Sequence, residues 1–208
     1  RGELTASATA TSAPPPPERR TNLKAQLTSF VGRDDEVARI GKSLELNRLV
    51  TLVGPGGAGK TRLAAEAAST IVEAAPDGIW MVELAPVTDA ADLPQAVLGS
   101  LGVREAHLLD RRAQLSARDA TSRLLETLAD REAVLILDNC EHLVEASARL
   151  ADHLLARCPK LRVLTTSREP LGIVGEVLLV VPPLGQPEPS ASAAEALEYP
   201  AVRLFADR

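Results

Sequence analysis

Eight consecutive residues combine four glycines with a lysine and a hydroxyl side chain, a spacing suited to holding phosphate. They are Gly54, Pro55, Gly56, Gly57, Ala58, Gly59, Lys60 and Thr61. Glycines let the backbone curl so that successive N–H groups face one concavity, and a helix that begins there adds partial positive charge. The Lys60 ammonium can then reach β- and γ-phosphates, and the Thr61 hydroxyl can ligate Mg²⁺. The pattern predicts a loop that binds ATP or ADP with magnesium, and Arg62 is grouped with its nucleotide-binding residues.

A second magnesium ligand is expected at the tip of an apolar strand. Asp138 follows the run 134–137, and the alternative is that it caps the helix that comes next. Related ATPases often place a glutamate directly after this aspartate as the base for the attacking water, but here the position is Asn139. Glu141 and His142 follow closely, either as bases or as ordinary first-turn helix residues. Slow hydrolysis is therefore expected, with Glu141 as the first candidate base.

An arginine follows another strand-like run. Leu164, Thr165, Thr166 and Ser167 lead directly into Arg168. The carboxyl ends of parallel strands face the ligand crevice, so Arg168 could contact a γ-phosphate and distinguish ATP from ADP by one charge. The alternative is a surface salt bridge.

Strand-like and helix-like segments alternate around these residues. The periodicity predicts helices over 34–45, 60–74, 92–101, 116–129 and 141–156 and from residue 200, and strands over 48–53, 79–84, 133–137, 161–166 and 177–181. Strands made of Val, Ile and Leu throughout, each followed by a helix, indicate a parallel sheet covered on both faces. The predicted fold class is α/β, with three layers and a phosphate loop at the end of one strand.

The composition of the chain argues against nucleic acid as a binding partner of this segment. The chain has 208 residues, a formal net charge of −5 and only 2% aromatic residues, which argues against a nucleic-acid-binding surface on this segment. Neither a secretion signal nor an apolar run of membrane-spanning length is evident. Cys140 and Cys158 lack metal-ligand spacing and are interpreted as reduced thiols of a cytoplasmic protein.

Four motifs occur together in one order: the segment 28–36 (TSFVGRDDE), GPGGAGKTRLA, LILDNCEHL and TTSREPLGI. This combination resembles the NB-ARC-type signal-transduction ATPases of the STAND class. The similarity is greatest to the bacterial branch found in SARP-type antibiotic regulators and large LuxR-type transcription regulators. The resemblance covers the chain from about residue 26 to its C-terminus.

The resemblance implies that Val31, Gly32 and Arg33 line the adenine and ribose, and that Arg168 senses the γ-phosphate. It implies a switch in which ADP holds a closed monomer and ATP permits opening and self-association. It also implies a following helical and winged-helix module and an attached DNA-binding module elsewhere in the parent chain. The Ala-, Ser-, Thr- and Pro-rich composition of 1–26 predicts a flexible linker. We expect a nucleotide-binding domain over 27–185, and over 186–208 a linker with the first helix of a truncated helical module.

Two other functions use the same loop. A stand-alone enzyme such as a small-molecule kinase would add an acceptor site and a lid with arginines, for which Arg111 and Arg112 are the candidates. A scaffold could bind nucleotide without turnover. Phosphate release without an acceptor separates the switch from the scaffold, and acceptor-dependent ADP production would indicate the kinase.

Overall fold

The computed structural model describes residues 21–24, 30, 32–102, 117–187, 190, 192–197 and 199–206. The predicted linker up to residue 20 lies outside these residues, as do Val31 of the predicted nucleotide site and the pair Arg111 and Arg112.

Five strands form one parallel sheet in the order β2-β3-β4-β1-β5. The strands are β1 (Leu49–Val53), β2 (Ile79–Glu83), β3 (Val134–Asp138), β4 (Arg162–Ser167) and β5 (Glu176–Val180). The three central strands are buried almost throughout, because both faces of the sheet are covered. The predicted α/β class with a parallel sheet is confirmed.

Helices cover both faces of this sheet, namely α1 (Asp34–Leu46), α2 (Lys60–Thr70), α3 (Leu93–Ser100), α4 (Ala117–Leu128) and α5 (Val144–Arg157). Two short helices follow β5 along the chain, α6 (Ala193–Ala196) and α7 (Pro200–Ala206). Successive side chains of a strand point to opposite faces, so Val134 and Ile136 join the core beneath α1 and α2. Leu135 and Leu137 join the core formed with α3, α4 and α5. The three-layer arrangement is as predicted.

The helix after the phosphate loop lies close against the sheet. Ala64, Ala67 and Ala68 of α2 are fully buried, and side chains this small allow a close approach of helix and strands. The helix was expected to continue to residue 74, but α2 ends at Thr70, and a separate 3-10 turn spans Val72–Ala74.

The helix after β3 begins later than its sequence pattern predicts. A 3-10 turn spans Cys140–His142, and α5 starts only at Val144 rather than at Glu141. Asn139 precedes this turn with a φ of 65°, in the left-handed region that few residues other than glycine adopt. The amphipathic pattern continues across this turn, so periodicity alone does not locate it.

Residues 21–24, within the predicted linker, contact the edge of the sheet. Thr21 forms a parallel bridge with Ile79, and the Asn22 carboxamide pairs with both backbone groups of Met81. The Asn22 side chain donates to the Met81 carbonyl and accepts from its N–H, each at 2.7 Å. Lys24 forms an exposed ion pair with Glu83 at 3.1 Å. This short stretch therefore lies along the β2 edge of the sheet instead of extending freely.

Candidate functional site: a phosphate loop between two strand ends

The phosphate loop is shaped by glycines where other residues would not fit. A Cβ on Gly54 would lie 2.3 Å from the Val181 carbonyl oxygen, because the loop leaves β1 against the chain that follows β5. Gly57 and Gly59 have φ values of 77° and 82°, a left-handed conformation that glycine adopts without steric cost. The loop thus ends directly at the N-terminus of α2, as predicted.

Lys60 lies inside the curve of this loop. Its ammonium donates hydrogen bonds to the carbonyl oxygens of Gly54 at 2.8 Å and Pro55 at 3.0 Å, and the residue is only 8% exposed. The charge is therefore held against the loop by two neutral acceptors. Phosphate oxygens would be stronger acceptors for the same ammonium, because their negative charge adds a direct attraction between opposite charges that a neutral carbonyl lacks.

Asp138 is held at the tip of β3 by the neighbouring strand β4. The Thr166 hydroxyl donates to Asp138 Oδ1 at 2.6 Å and accepts from the Asn139 backbone N–H at 2.9 Å. Asp138 is 7% exposed and Thr166 is 1% exposed. Sequence reasoning singled out the carboxylate but gave Thr166 no role. The sequence does show hydroxyl residues at the end of β4. Their role becomes clear only from the structure, in which β4 lies beside β3.

Arg168 and Glu141 meet above the loop. Arg168 Nε donates to Glu141 Oε1 at 3.0 Å, with the arginine side chain 65% exposed and the glutamate 21% exposed. A Cβ on Gly56 would lie 3.2 Å from the Arg168 guanidinium, so the arginine lies directly over the loop backbone. The fold brings together the predicted sensor and the predicted base, and each neutralises the other. His142, the weaker candidate base, instead contacts the Val87 carbonyl at 2.9 Å through Nε2.

Arg33, one of the predicted adenine-binding residues, lies on the β5 side of the loop. Arg33 is 5% exposed and donates to the Pro182 carbonyl at 2.7 Å, just beyond the strand end that contacts Gly54. Its second terminal nitrogen, Nη1, is buried and has no hydrogen-bond partner among the described residues. Gly32 lies against Pro200 of α7, and the Arg62 guanidinium lies 5.7 Å from the centre of the Phe30 ring. A buried donor of this kind fits a ligand acceptor.

The oxygen atoms of Thr61 and Asp138 are suitable ligands for a magnesium ion that is also bound by phosphate. They are too few to hold a metal ion without the nucleotide. Thr61 supplies a hydroxyl and Asp138 a carboxylate, and Mg²⁺ is usually held by one or two such groups together with substrate phosphates. Within the described part of the chain, no three His, Cys, Asp or Glu side chains converge on a possible metal position. An ion at this loop would thus depend on the nucleotide for further ligands.

A cavity of about 550 Å³ opens beside the phosphate loop, on the side facing β2. Its wall includes Gly59 and Thr61 of the loop, Glu83 at the end of β2, and the stretch from Asn22 to Lys24. The residues that cover the sheet edge therefore also border the candidate magnesium ligand.

The cysteine beside the site, Cys140, is not a reactive thiol. Cys140 lies next to the strand tip, but burial raises the pKa of its thiol to about 12, with the negative charges of Asp138 and Glu141 acting in the same direction. Only the thiolate is nucleophilic, so this cysteine is inert near neutral pH. Cys140 and Cys158 are both buried and form no disulfide with each other.

Fold and loop together define a nucleotide-binding domain of the P-loop ATPase type. The sequence profile of the family described as AAA domain matches residues 44–174, and the chain belongs to this family. The chain is 40% identical over 187 residues to an uncharacterized protein of Mycobacterium tuberculosis, covering 90% of this chain and 42% of that protein. It is 39% identical over 165 residues to a protein of the same species named as a candidate HTH-type transcriptional regulator, covering 79% of this chain and 16% of the regulator. The chain thus spans less than half the length of either relative.

Solved structures share the fold. Cdc6p from Pyrobaculum aerophilum superposes with a TM-score of 0.51 at 18% identity, covering 72% of this chain and 45% of that one. A chain of Drosophila ORC bound to DNA gives a TM-score of 0.52 at 20% identity, covering 70% and 42% respectively. At these identities the likeness extends to the fold alone. No helix within the described ranges is both long and apolar enough to cross a membrane.

Proposed function

We propose that this chain is the nucleotide switch domain of a larger transcriptional regulator, binding ATP or ADP with Mg²⁺ and hydrolysing ATP slowly. The observation that carries the proposal is the pairing of Arg168 with Glu141 directly over the phosphate loop. A cation that already has a carboxylate partner can exchange it for a γ-phosphate. The two states then differ in a contact that ATP provides and ADP lacks, which is the requirement for a ligand-driven switch.

Each part of a bound nucleotide has a candidate partner in the fold. Lys60 and the loop N–H groups would hold the β-phosphate, Thr61 and Asp138 the magnesium, and Arg168 the γ-phosphate. Gly32 and Arg33 would line the adenine and ribose, and the buried, unpartnered Nη1 of Arg33 supports a ligand acceptor there. Bound magnesium would supply charge neutralisation between the phosphates.

Slow turnover follows from the residues around Asp138. Asn139 occupies the position where a base is expected and cannot accept a proton from water. Glu141 is the remaining candidate, but it is engaged by Arg168 at 3.0 Å. It would become available as a base only after Arg168 has turned to the nucleotide. Hydrolysis would then be coupled to the change of partner, which suits a timed switch better than a metabolic enzyme.

The wider architecture is part of the proposal. The motifs that resemble NB-ARC-type STAND ATPases, the regulator among the relatives and the small share of its length that matches support a longer parent chain. We assign 27–185 to the nucleotide-binding domain and 186–208 to a connection into a helical module. In that arrangement, the nucleotide state would control self-association and the exposure of a DNA-binding module, while the acidic segment itself does not contact DNA.

Calorimetric titration with ATP and ADP, with magnesium and in EDTA, tests the nucleotide site. Lys60→Ala should weaken binding of both nucleotides at least tenfold, because the lost ammonium–phosphate hydrogen bonds are worth about 1.5–3 kcal/mol. Lys42→Ala is the matched control, since Lys42 is exposed on α1. Wild-type affinity in a folded Lys60→Ala variant would contradict the assignment of the loop.

The switch is tested separately in the full-length parent protein. Sedimentation with ADP and with a non-hydrolysable ATP analogue should show a larger species only with the analogue. If both nucleotides bind but the sedimentation coefficient is the same with each, the switch proposal would be wrong. The chain would then be a scaffold that binds nucleotide.

A further inference from the structure

Thr166 occupies a position in which one hydroxyl group connects two strand ends. The ladder between β3 and β4 runs from the pair Val134 and Arg162 to the pair Leu137 and Thr165, and it ends there. Beyond that point the Thr166 side chain continues the connection, contacting the Asp138 carboxylate and the Asn139 backbone.

The hydrogen-bond geometry leaves a single arrangement of protons. A threonine hydroxyl has one hydrogen to donate and lone pairs that accept. The Asn139 N–H can only donate, so the Thr166 oxygen accepts this bond at 2.9 Å. The one hydroxyl hydrogen is then left for Asp138 Oδ1 at 2.6 Å. The bond fixes one carboxylate oxygen of Asp138 and leaves Oδ2 without this constraint.

The unusual backbone at Asn139 is consistent with this arrangement. Asn139 has a φ of 65°, a conformation that is costly for most residues outside glycine and persists where the surrounding contacts maintain it. Its N–H is the donor that Thr166 accepts. The same hydroxyl therefore orients the carboxylate and holds the left-handed turn that follows it.

We infer that Thr166 is a positioning residue for the magnesium site, presenting Asp138 Oδ2 to the metal while holding Oδ1 in place. This inference rests on the proposed nucleotide function and adds a residue that neither the sequence motifs nor the comparisons assign. Partners that orient a metal-binding side chain typically change metal affinity by 10- to 100-fold when removed. Thr166 contacts the Asp138 carboxylate and the Asn139 backbone, so we expect its loss to act on the metal ligand.

The test compares substitutions at Thr166 with one at Thr165, a neighbouring residue that is equally buried. Thr166→Val removes the hydroxyl at constant volume, and Thr166→Ser retains it. Thr165→Val is the matched control, because Thr165 is an equally buried neighbour whose hydroxyl contacts Thr51 at 2.7 Å rather than Asp138. The measured quantity is the factor by which magnesium tightens binding of a non-hydrolysable ATP analogue to the 208-residue chain, relative to EDTA.

We expect this magnesium factor to fall about tenfold in Thr166→Val and to stay within about twofold of wild type in Thr166→Ser and Thr165→Val. Affinity in EDTA should be the same in all four proteins, whereas a general loss of structure would lower it as well. If Thr166→Val is not folded by circular dichroism, Thr166→Ala takes its place under the same criterion.

Two results would overturn the inference. A folded hydroxyl-free variant with the wild-type magnesium factor would show that Asp138 does not need this partner. An equal loss in Thr166→Ser would show that the methyl group, not the hydroxyl, matters. Absence of any magnesium effect or nucleotide binding in the wild-type chain would instead overturn the proposed function, and this inference with it.

Discussion

Replacing Arg168 by alanine tests whether the arginine over the loop reads the γ-phosphate. In the structure, Arg168 donates to Glu141 at 3.0 Å and lies against Gly56, the second glycine of the loop. In the proposed ATP state the guanidinium leaves the carboxylate and contacts the γ-phosphate. The variant removes this contact without touching Lys60, so ADP affinity should change little while ATP affinity falls.

The size of the effect follows from the difference between the two partners. A hydrogen bond to a charged group contributes about 1.5–3 kcal/mol. The bond to Glu141 must be broken first, but with Arg168 65% exposed the pair is worth only about 0.2–1 kcal/mol. The difference leaves a net preference for ATP of about 0.5–3 kcal/mol, and the roughly 1.4 kcal/mol that corresponds to a tenfold ratio of affinities lies near the middle of this range.

Competition titrations of ATP analogue against ADP in the presence of magnesium measure this ratio. Arg149→Ala provides the control, because Arg149 is an arginine of similar exposure that pairs with Glu145 at 3.3 Å on α5 instead of with a residue beside the loop. Arg168→Ala should lose about tenfold of the ATP preference, whereas Arg149→Ala should keep it. An unchanged ratio in Arg168→Ala would refute the sensor assignment and leave an ordinary surface ion pair.

Three further predictions concern the frame of the site. Gly54→Ala should lower the free energy of unfolding by about 1–3 kcal/mol in urea titrations, because its Cβ would lie 2.3 Å from a backbone oxygen. Gly99→Ala has open space within 4 Å, so equal stability of the two variants would contradict this account. Arg48→Ala should cost a similar amount, since the guanidinium donates to three backbone carbonyls at the end of α5 and just beyond it. Arg39→Ala is the control, because Arg39 is exposed on α1. An equal free energy of unfolding for Arg48→Ala and Arg39→Ala would show that the hydrogen bonds of Arg48 near the end of α5 do not stabilise the fold. With a thiol pKa of about 12, Cys140 should resist alkylation at pH 8 until the chain unfolds, and rapid labelling of folded protein would disprove the buried position.

The phosphate loop could be predicted from sequence because its chemistry is local. Glycines, lysine and threonine lie within eight consecutive residues, and the strand before and helix after them carry their own periodic signals. The position of Asp138 at the end of a strand could be predicted equally well, because a continuous apolar run precedes it. The turn after it was not, because the left-handed backbone of Asn139 has no counterpart in the hydrophobic pattern.

Contacts between strands could not be predicted in the same way. Thr166 and Asp138 are separated by 28 residues, and their hydrogen bond depends on β4 lying between β3 and β1. Periodicity identifies strands but not their neighbours. The same limit applies to Asn22, whose carboxamide pairs with Met81 across 59 residues in a stretch that the composition assigned to a linker.

The position of β4 in the sheet explains how one strand end can report on a nucleotide. β4 lies between β1, which leads into the phosphate loop, and β3, which ends in Asp138. Its last residues therefore contact both: Ser167 accepts from the loop N–H of Gly54 at 3.3 Å, and Thr166 donates to Asp138 at 2.6 Å. Arg168 follows at once. Since three consecutive residues connect the loop, the proposed metal ligand and the proposed sensor, a γ-phosphate that moved Arg168 would act on the same strand end that orients Asp138.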